Sequence, residues 1–280
     1  MIIGCGEWGY RDLEIEDHFR VSQKFGFHYM ELGIGGTVAG RLPEQMTDEE
    51  VSRIADLRKK YDVETPFCCL EDDFTLPDPA AHEQMVAKTI SSIRLASRLG
   101  AKLVRLFAGF THADQMTEEI WQRLLSGMKE CDEVCQELGM TIAVETHGAV
   151  TFTGKVQHHK HTVTTDRTCL ERLVKDLPPT VGFCYDPGNM RAVNPEDTRY
   201  GLDIINDRIN YCHLKDWRSA KNGWTPGTPG DGDLDYAELL SKMKYDGVYT
   251  LEYEETDDLE DGIQRGIDYL KTTGQTIEFR

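Results

Sequence analysis

The segment from residue 103 to residue 147 decides the fold: it reads LVRLFAG (103–109), TEEIWQRLLSGMKECDEVCQEL (117–138) and TIAVETH (141–147). The first and last runs are short and rich in aliphatic residues, which is typical of buried strands. The middle run has helical periodicity, begins at the capping residue Thr117 and ends before Gly139. The segment is therefore predicted to be one strand–helix–strand unit.

The same alternation recurs along the whole chain. Strands are predicted at 2–8, 29–34, 65–71, 103–109, 141–147, 181–187, 209–216 and 248–254, and helices near 16–25, 47–61, 79–99, 117–138, 166–176, 196–207, 234–245 and 258–273. Eight such repeats without a break in composition predict an α/β fold, namely a (β/α)₈ TIM barrel that forms a single domain over residues 1–280. A doubly wound open sheet is the alternative. It is disfavoured because no helix opens directly on the glycine spacing of GCGEWG (4–9), so a dinucleotide site is not expected either.

The composition limits the class of function. Against 31 Lys and Arg residues stand 49 Asp and Glu residues, a formal net charge of -18, and such a surface repels phosphate backbones and anionic membranes. No run approaches the roughly 18 apolar residues of a membrane helix, and the first ten residues do not resemble a signal peptide. We therefore expect a cytoplasmic protein with a small-molecule substrate, and no nucleic-acid or membrane partner.

Ionisable residues end the last four predicted strands. In a parallel barrel the carboxyl ends of the strands meet at one mouth. Because side chains alternate along a strand, Glu145, Asp186, His213 and Glu252 are predicted to point inward at one level. Three carboxylates that close together repel one another, and a divalent cation relieves the repulsion. We predict that these four residues bind one divalent metal ion, with Mn²⁺ favoured and Mg²⁺, Zn²⁺, Co²⁺ or Fe²⁺ as alternatives.

Four pieces of sequence carry a family resemblance: VETHG (144–148), YDPGN (185–189), HLKD (213–216) and Glu252. In them the chain resembles the xylose isomerase-like TIM barrel superfamily, in particular its sugar phosphate isomerase/epimerase group, and the resemblance spans nearly the whole chain. The resemblance maps the metal ligands of that family onto the same four residues. It also implies that Glu145 and Glu252 act as acid and base on opposite faces of an enediolate.

The function that the resemblance implies is a divalent-metal-dependent sugar isomerase or epimerase, which acts on a ketose or related keto-sugar through a metal-stabilised enediolate. A lyase or dehydratase that acts on a keto-inositol or a 3-keto-glycoside is the first alternative, because elimination beside a carbonyl begins with the same proton abstraction. A non-catalytic sugar-binding barrel is an alternative of another class. A DNA-repair nuclease, known in one branch of the superfamily, is disfavoured by the negative charge.

Six further residues are predicted to contact the substrate from strand ends or the segments that follow them: Trp8, Phe107, His147, Asn189, Lys215 and Arg218. Asn189 is a departure from the family pattern, because ketose epimerases and inosose dehydratases commonly carry a His at this position. The departure leaves the substrate open. Barrels of this family often form dimers, so a homo-oligomer is also an open expectation.

Two long loops follow the fifth and seventh strands. The loop 148–165 is predicted to be an active-site lid, and the loop 218–232, which is rich in Gly and Pro, is predicted to form the pocket rim. His158, His159 and His161 lie in the first loop. A second metal site there is one interpretation, and a solvated polar loop is the favoured one.

Overall fold

A closed barrel of eight parallel strands lies at the centre of the computed structural model, which describes residues 1–280. The barrel strands are β1 (Ile2–Cys5), β2 (Tyr29–Ile34), β3 (Glu64–Leu70), β4 (Leu103–Leu106), β5 (Thr141–Glu145), β8 (Gly182–Tyr185), β9 (Ile209–Leu214) and β12 (Val248–Leu251). Each pairs with the barrel strands before and after it in the chain, and β12 pairs with β1 to close the ring. The predicted barrel and all eight predicted strands are confirmed.

Nine α-helices accompany the strands: α1 (Ile15–Phe25), α2 (Asp48–Tyr61), α3 (Pro79–Arg98), α4 (Glu118–Glu137), α5 (Arg167–Asp176), α6 (Pro187–Val193), α7 (Leu202–Ile205), α8 (Tyr236–Lys242) and α9 (Leu259–Thr272). The side chain of Thr117 accepts a hydrogen bond from the backbone of Ile120, so the predicted cap of α4 is present. None of these helices is both long and apolar enough to cross a membrane.

The predicted helix at 196–207 is wrong over most of its length. The chain instead forms α6 directly after β8, and only the four residues of α7 are helical within the predicted range. Local chemistry explains the difference. The Asp186 side chain accepts a hydrogen bond from the backbone of Asn189, and Pro187, whose ring sets a helical φ, occupies the first position of the helix. Helix α6 therefore begins directly after one of the candidate metal ligands, which caps it.

A second, antiparallel sheet forms from the two long loops. It contains β6 (Ala149–Thr153), β7 (Val156–Lys160), β10 (Asp216–Ala220) and β11 (Gly223–Gly227), in the order β10-β11-β7-β6. The two hairpins meet where Trp224 pairs with Gln157, and the Gln157 side chain donates a hydrogen bond to Glu254, two residues past Glu252. The regions predicted as separate lid and rim loops are thus one structural unit beside the barrel mouth.

The register of the barrel sets the height of the candidate site. Cys184 pairs with Glu145, and Asp186 follows two residues later; His213 pairs with Thr250, and Glu252 follows two residues later. A small apolar layer inside the barrel supports these positions from below. It consists of Leu103, Ala143, Cys184 and Tyr211, with Phe67 packed against it.

Candidate metal centre and active site

Glu145, Asp186, His213 and Glu252 meet at the mouth of the barrel. Each offers one potential ligand atom, and the four atoms lie within 4.8 Å of one another. The Nδ1 atom of His213 lies 3.5 Å from Oε1 of Glu145, 3.4 Å from Oε2 of Glu252 and 3.9 Å from Oδ2 of Asp186. All four residues are buried. Ligands that share one ion at bonds of about 2.0–2.2 Å lie at such separations from one another.

The polar atoms of this cluster fit a divalent cation. Nδ1 of His213 and Oδ2 of Asp186 are both buried and have no hydrogen-bond partner, although buried polar atoms are almost always paired. Three carboxylates with one imidazole form a donor set that suits Mn²⁺, Mg²⁺ or Zn²⁺. The cluster is therefore a candidate metal centre by its geometry and by its unpaired donors.

Two buried cations flank the cluster. Nε of Arg105 lies 3.1 Å from Oε2 of Glu145, and Nζ of Lys215 lies 2.9 Å from Oε2 of Glu252. Burial acts to raise the pKa of Glu145, but Arg105 and then His213 outweigh it and lower this pKa to about 2. Burial likewise opposes ionisation of Glu252, but Lys215 and His213 hold the pKa of Glu252 well below its usual range. Both glutamates are therefore carboxylates at neutral pH.

Asp186 differs from the two glutamates. Burial raises its pKa to about 7, and the nearby charges of Glu252 and Glu145 add to the rise, while Lys215 at 3.6 Å opposes it. A buried carboxyl group that faces two other carboxylates needs a further positive charge to stay ionised. This crowding is a second reason why a divalent cation suits the site.

Glu31, which the sequence analysis missed, lies on the other side of the His213 ring. Its Oε1 atom is 2.9 Å from Nε2 of His213, and it also accepts hydrogen bonds from the Tyr211 hydroxyl and from Cys69. Glu31 is fully buried. The signal in the sequence was a single carboxylate inside the otherwise uncharged strand YMELGI (29–34).

A pocket of about 210 Å³ opens beside the cluster and is lined by Glu145, Glu252 and four of the six predicted substrate contacts. These four are Trp8, Phe107, His147 and Lys215. The rings of Phe107 and His147 meet edge to face at 5.1 Å. Burial is the main cause that lowers the pKa of His147, so its imidazole is neutral at neutral pH.

Asn189 and Arg218 do not line this pocket. Asn189 is fully buried, and its Nδ2 atom donates a hydrogen bond of 3.2 Å to Oε1 of Glu145. Arg218 is exposed on β10, donates to the carbonyl of Pro226 and lines a separate outer cleft. The structure thus places Asn189, on α6, beside the candidate ligand Glu145. Arg218 lies on β10 of the antiparallel sheet and faces the outer cleft instead of the pocket.

The three histidines of the first long loop are spread over β7 and the segment after it. His158 contacts Thr153, and His161 contacts the carbonyl of Thr165. His159 packs against the indole of Trp217 at 4.9 Å, and burial lowers the pKa of His159 to about 3. Each ring thus has its own surroundings on the loop.

Comparison with known proteins places the chain in a family. The family described as xylose isomerase-like TIM barrel matches residues 19–273. The chain belongs to this family. Similar proteins include an inosose dehydratase of Geobacillus kaustophilus (strain HTA426), 27% identical over 162 residues, and one of Halalkalibacterium halodurans, 28% identical over 160 residues. The matches cover 50% and 51% of this chain and 48% and 47% of those proteins, so they extend over about half the length of each relative.

Solved structures of the family share the fold over nearly the whole chain. A xylose isomerase domain protein from Planctomyces limnophilus superposes with a TM-score of 0.75 at 15% identity, and covers 97% of this chain and 96% of its own. An IolI protein with a bound zinc atom gives a TM-score of 0.75 at 17% identity, and a D-tagatose 3-epimerase-like protein gives 0.73 at 19%; each match covers 98% of both chains. At these identities the comparison shows the fold alone.

Proposed function

We propose that the chain is a divalent-metal-dependent isomerase or epimerase of a ketose or related keto-sugar. The observation that carries the proposal is the pair of glutamates, Glu145 and Glu252, which face each other across Nδ1 of His213 at the edge of a small pocket. A metal-dependent member of this family needs two such groups to move a proton at a carbon atom beside a carbonyl.

Four residues would hold the ion: Glu145, Asp186, His213 and Glu252. When bound, it would polarise the carbonyl and neighbouring hydroxyl oxygens of the substrate and so acidify the C–H bond between them. Mn²⁺ is the ion that we propose, since the donor set is rich in oxygen, and Zn²⁺ is the first alternative because a zinc atom is bound in the IolI neighbour.

The two glutamates act as the acid and the base. Each has an ion-pair partner, Arg105 for Glu145 and Lys215 for Glu252, and each is ionised in the resting protein. One carboxylate removes the proton from the substrate carbon. The other takes up a proton from solvent when substrate binds and gives it to the opposite face of that carbon, and the first then releases its proton to solvent. Positioned groups of this kind contribute about 10²–10⁴-fold each to the rate.

The pocket walls orient the substrate. Trp8, Phe107, Phe110 and Val150 form an apolar side on which the C–H face of a sugar can lie, while Lys215 offers a charged donor on the polar side. A pocket of about 210 Å³ suits a small molecule. The net charge of -18 further supports a sugar-like substrate over a nucleic acid or a membrane surface.

Metal content and hydrogen exchange test the proposal together. Wild-type protein is expected to hold about one divalent ion per chain by mass spectrometry, and Glu252→Gln and His213→Ala are expected to lose it, while Glu71→Gln at the pocket rim keeps it. With free ketoses in deuterated water, wild-type protein should place deuterium on the carbon beside the carbonyl, and Glu145→Gln should slow this step by about 10²–10⁴-fold. Protein that holds no metal after supplementation and exchanges no hydrogen would instead be a non-catalytic sugar-binding barrel.

A lyase that uses the same residues is the second candidate. The similar proteins that carry the name inosose dehydratase favour it, as does Lys215, whose buried ammonium group can donate a proton to a departing hydroxyl group. Incubation with keto-inositols and 3-keto-glycosides separates the two reactions. Release of water or of an aglycone identifies elimination, whereas deuterium incorporation without release identifies isomerisation.

A further inference from the structure

Glu31 on β2 is the only carboxylate that contacts His213 from the side opposite the candidate ligands. Nε2 of His213 lies 2.9 Å from Oε1 of Glu31, whereas Nδ1 of the same ring faces the three carboxylates of the metal centre. The exposed fraction of both side chains is 0%. The imidazole ring therefore lies between one buried acceptor and the place where an ion would bind.

The hydrogen bonds to Glu31 show that it acts as an acceptor on both oxygens. Oε1 accepts from the Tyr211 hydroxyl and from Sγ of Cys69 at 3.2 Å, in addition to His213, and Oε2 accepts from the backbone of Glu7 at 3.0 Å. These contacts come from three other strands or strand ends. Their number fixes the carboxylate plane within the barrel wall.

This set of donors has a direct consequence for the imidazole. A histidine that binds a metal ion through one ring nitrogen carries its proton on the other, and the hydrogen bond of the protonated nitrogen fixes which one binds. Because Glu31 accepts, Nε2 keeps its proton whatever the charge of the ring, so a divalent ion can bind His213 only through Nδ1, which faces Glu145 and Glu252. Nδ1 is also the ring atom that lacks a hydrogen-bond partner.

We propose that Glu31 is a positioning residue for the metal centre: it keeps the proton of His213 on Nε2 and fixes the ring so that Nδ1 faces the place where a divalent ion would bind. This inference rests on the metal site of the proposed function. A carboxylate that orients a ligating histidine usually changes metal affinity by about 10- to 100-fold when it is altered.

Zinc affinity, measured by competition with a chromophoric chelator, tests the role of Glu31. Glu31→Gln is expected to weaken zinc binding by about 10- to 100-fold, because an amide cannot accept on both sides: its NH₂ group must face a donor either at Glu7 or at His213. Tyr211→Phe, which removes one donor to Glu31 and leaves His213 intact, is expected to weaken binding only a few-fold. Tyr185→Phe is the matched control, since the Tyr185 hydroxyl bonds to the carbonyl of Tyr200 outside the site.

A spectroscopic signature separates positioning from general damage. In zinc-loaded, ¹⁵N-labelled wild-type protein, His213 should show a protonated Nε2 that exchanges slowly with solvent and an Nδ1 shifted by the metal. In Glu31→Gln the Nε2 proton should exchange faster and its resonance should move. The thermal unfolding midpoints of metal-free wild type and Glu31→Gln, compared with each other, show how much of the change in zinc affinity comes from a loss of folding stability.

Each result decides the question. Wild-type protein that binds no zinc would overturn the metal centre and the role of Glu31 together. Wild-type binding with equal affinity in Glu31→Gln would overturn the role of Glu31 alone. Should Glu31→Gln not fold, the role is overturned if Tyr211→Phe matches Tyr185→Phe in both zinc affinity and the His213 resonances.

Discussion

The two halves of the barrel mouth contribute different chemistry. The last four barrel strands, β5, β8, β9 and β12, end in the residues that could bind a metal ion, and three of these four residues are acidic. In the first half, Glu31 on β2 contacts His213 and Arg105 on β4 contacts Glu145, while Arg41, which follows β2, pairs with Glu7 and Glu71. The second half thus supplies the candidate ligands and the cation Lys215, and the first half supplies Glu31 and the cation Arg105, which contact two of those ligands.

The difference shows why a set of acidic side chains can be buried here. Arg105 crosses from β4 to Glu145 on β5, and Arg41 lies against Glu7 at 3.6 Å and against Glu71. A buried charge without a partner costs several kcal/mol. Arg105 of the first half therefore stabilises the buried charge of Glu145 in the second half, as Lys215 stabilises that of Glu252. Variants in the two halves should have different consequences.

The largest expected effect comes from removing a counter-charge of the first half. Arg105 is buried with its guanidinium 3.1 Å from Glu145 and 4.1 Å from the centre of the Phe107 ring. Arg105→Met should destabilise the metal-free protein by about 3–5 kcal/mol, because Glu145 is left as a buried charge without its nearest partner. The free energy of unfolding in urea measures this.

The matched control for that variant is Arg94→Met, since Arg94 is an exposed arginine whose guanidinium lies 3.9 Å from Glu137. It should change the stability by no more than about 1 kcal/mol. The distinction between the two halves would be broken if Arg105→Met were no more destabilising than Arg94→Met, or if added zinc failed to restore part of the lost stability.

A smaller, pH-dependent effect is expected at Asp216, which follows the seventh barrel strand. Its side chain accepts hydrogen bonds from the backbones of Trp217 and Gly232, and burial raises its pKa from 3.8 to about 7. Folding thus favours the protonated form, so the stability that this group contributes is complete below pH 4 and is lost as the pH rises through 7. Each unit of pKa difference corresponds to about 1.4 kcal/mol.

Asp216→Asn should remove this pH dependence. Urea unfolding of the metal-free protein at pH 5, 6.5 and 8 should show that the wild-type protein loses stability relative to Asp216→Asn as the pH increases. Asp207→Asn, at an exposed position paired with Lys244, is the control and should follow the wild-type profile. Parallel profiles for wild type and Asp216→Asn would show that ionisation of Asp216 does not lower the free energy of unfolding. The pH-dependent loss of stability would then come from other groups.

The smallest effect is expected outside both halves, in the antiparallel sheet. Phe152 on β6 is 66% exposed and lines the pocket. Phe152→Ser should leave the stability unchanged within about 0.5 kcal/mol and raise KM a few-fold with little change in kcat, because a partly exposed apolar contact to substrate is worth about 1 kcal/mol. Thr153→Ser on the same hairpin is the control. A fall in kcat instead of a rise in KM would assign this sheet to the chemistry rather than to substrate binding.

Much of the fold follows from short-range sequence patterns. Strand and helix periods are properties of segments of five to twenty residues, so all eight barrel strands could be predicted, and the side-chain alternation around Glu145 and His213 placed them inside the barrel. The helix after β8 was missed although its signal was local: Asp186 followed by Pro187 is a typical helix start.

Other features depend on residues that are distant in the sequence. The antiparallel sheet forms because Gln157 pairs with Trp224, and neither hairpin alone indicates its partner. Glu31 contacts His213, which lies 182 residues later in the chain. No periodicity encodes such a contact, because it exists only after the barrel has closed.

The sequence by itself therefore determined which residues end the strands and which of them could bind a metal ion, since alternation and strand polarity are local rules. The tertiary structure alone decided which cation neutralises each carboxylate and which nitrogen of His213 is free. The physical reason is that hydrogen bonds and ion pairs act over only a few ångströms, and barrel closure sets the separations between side chains from different strands.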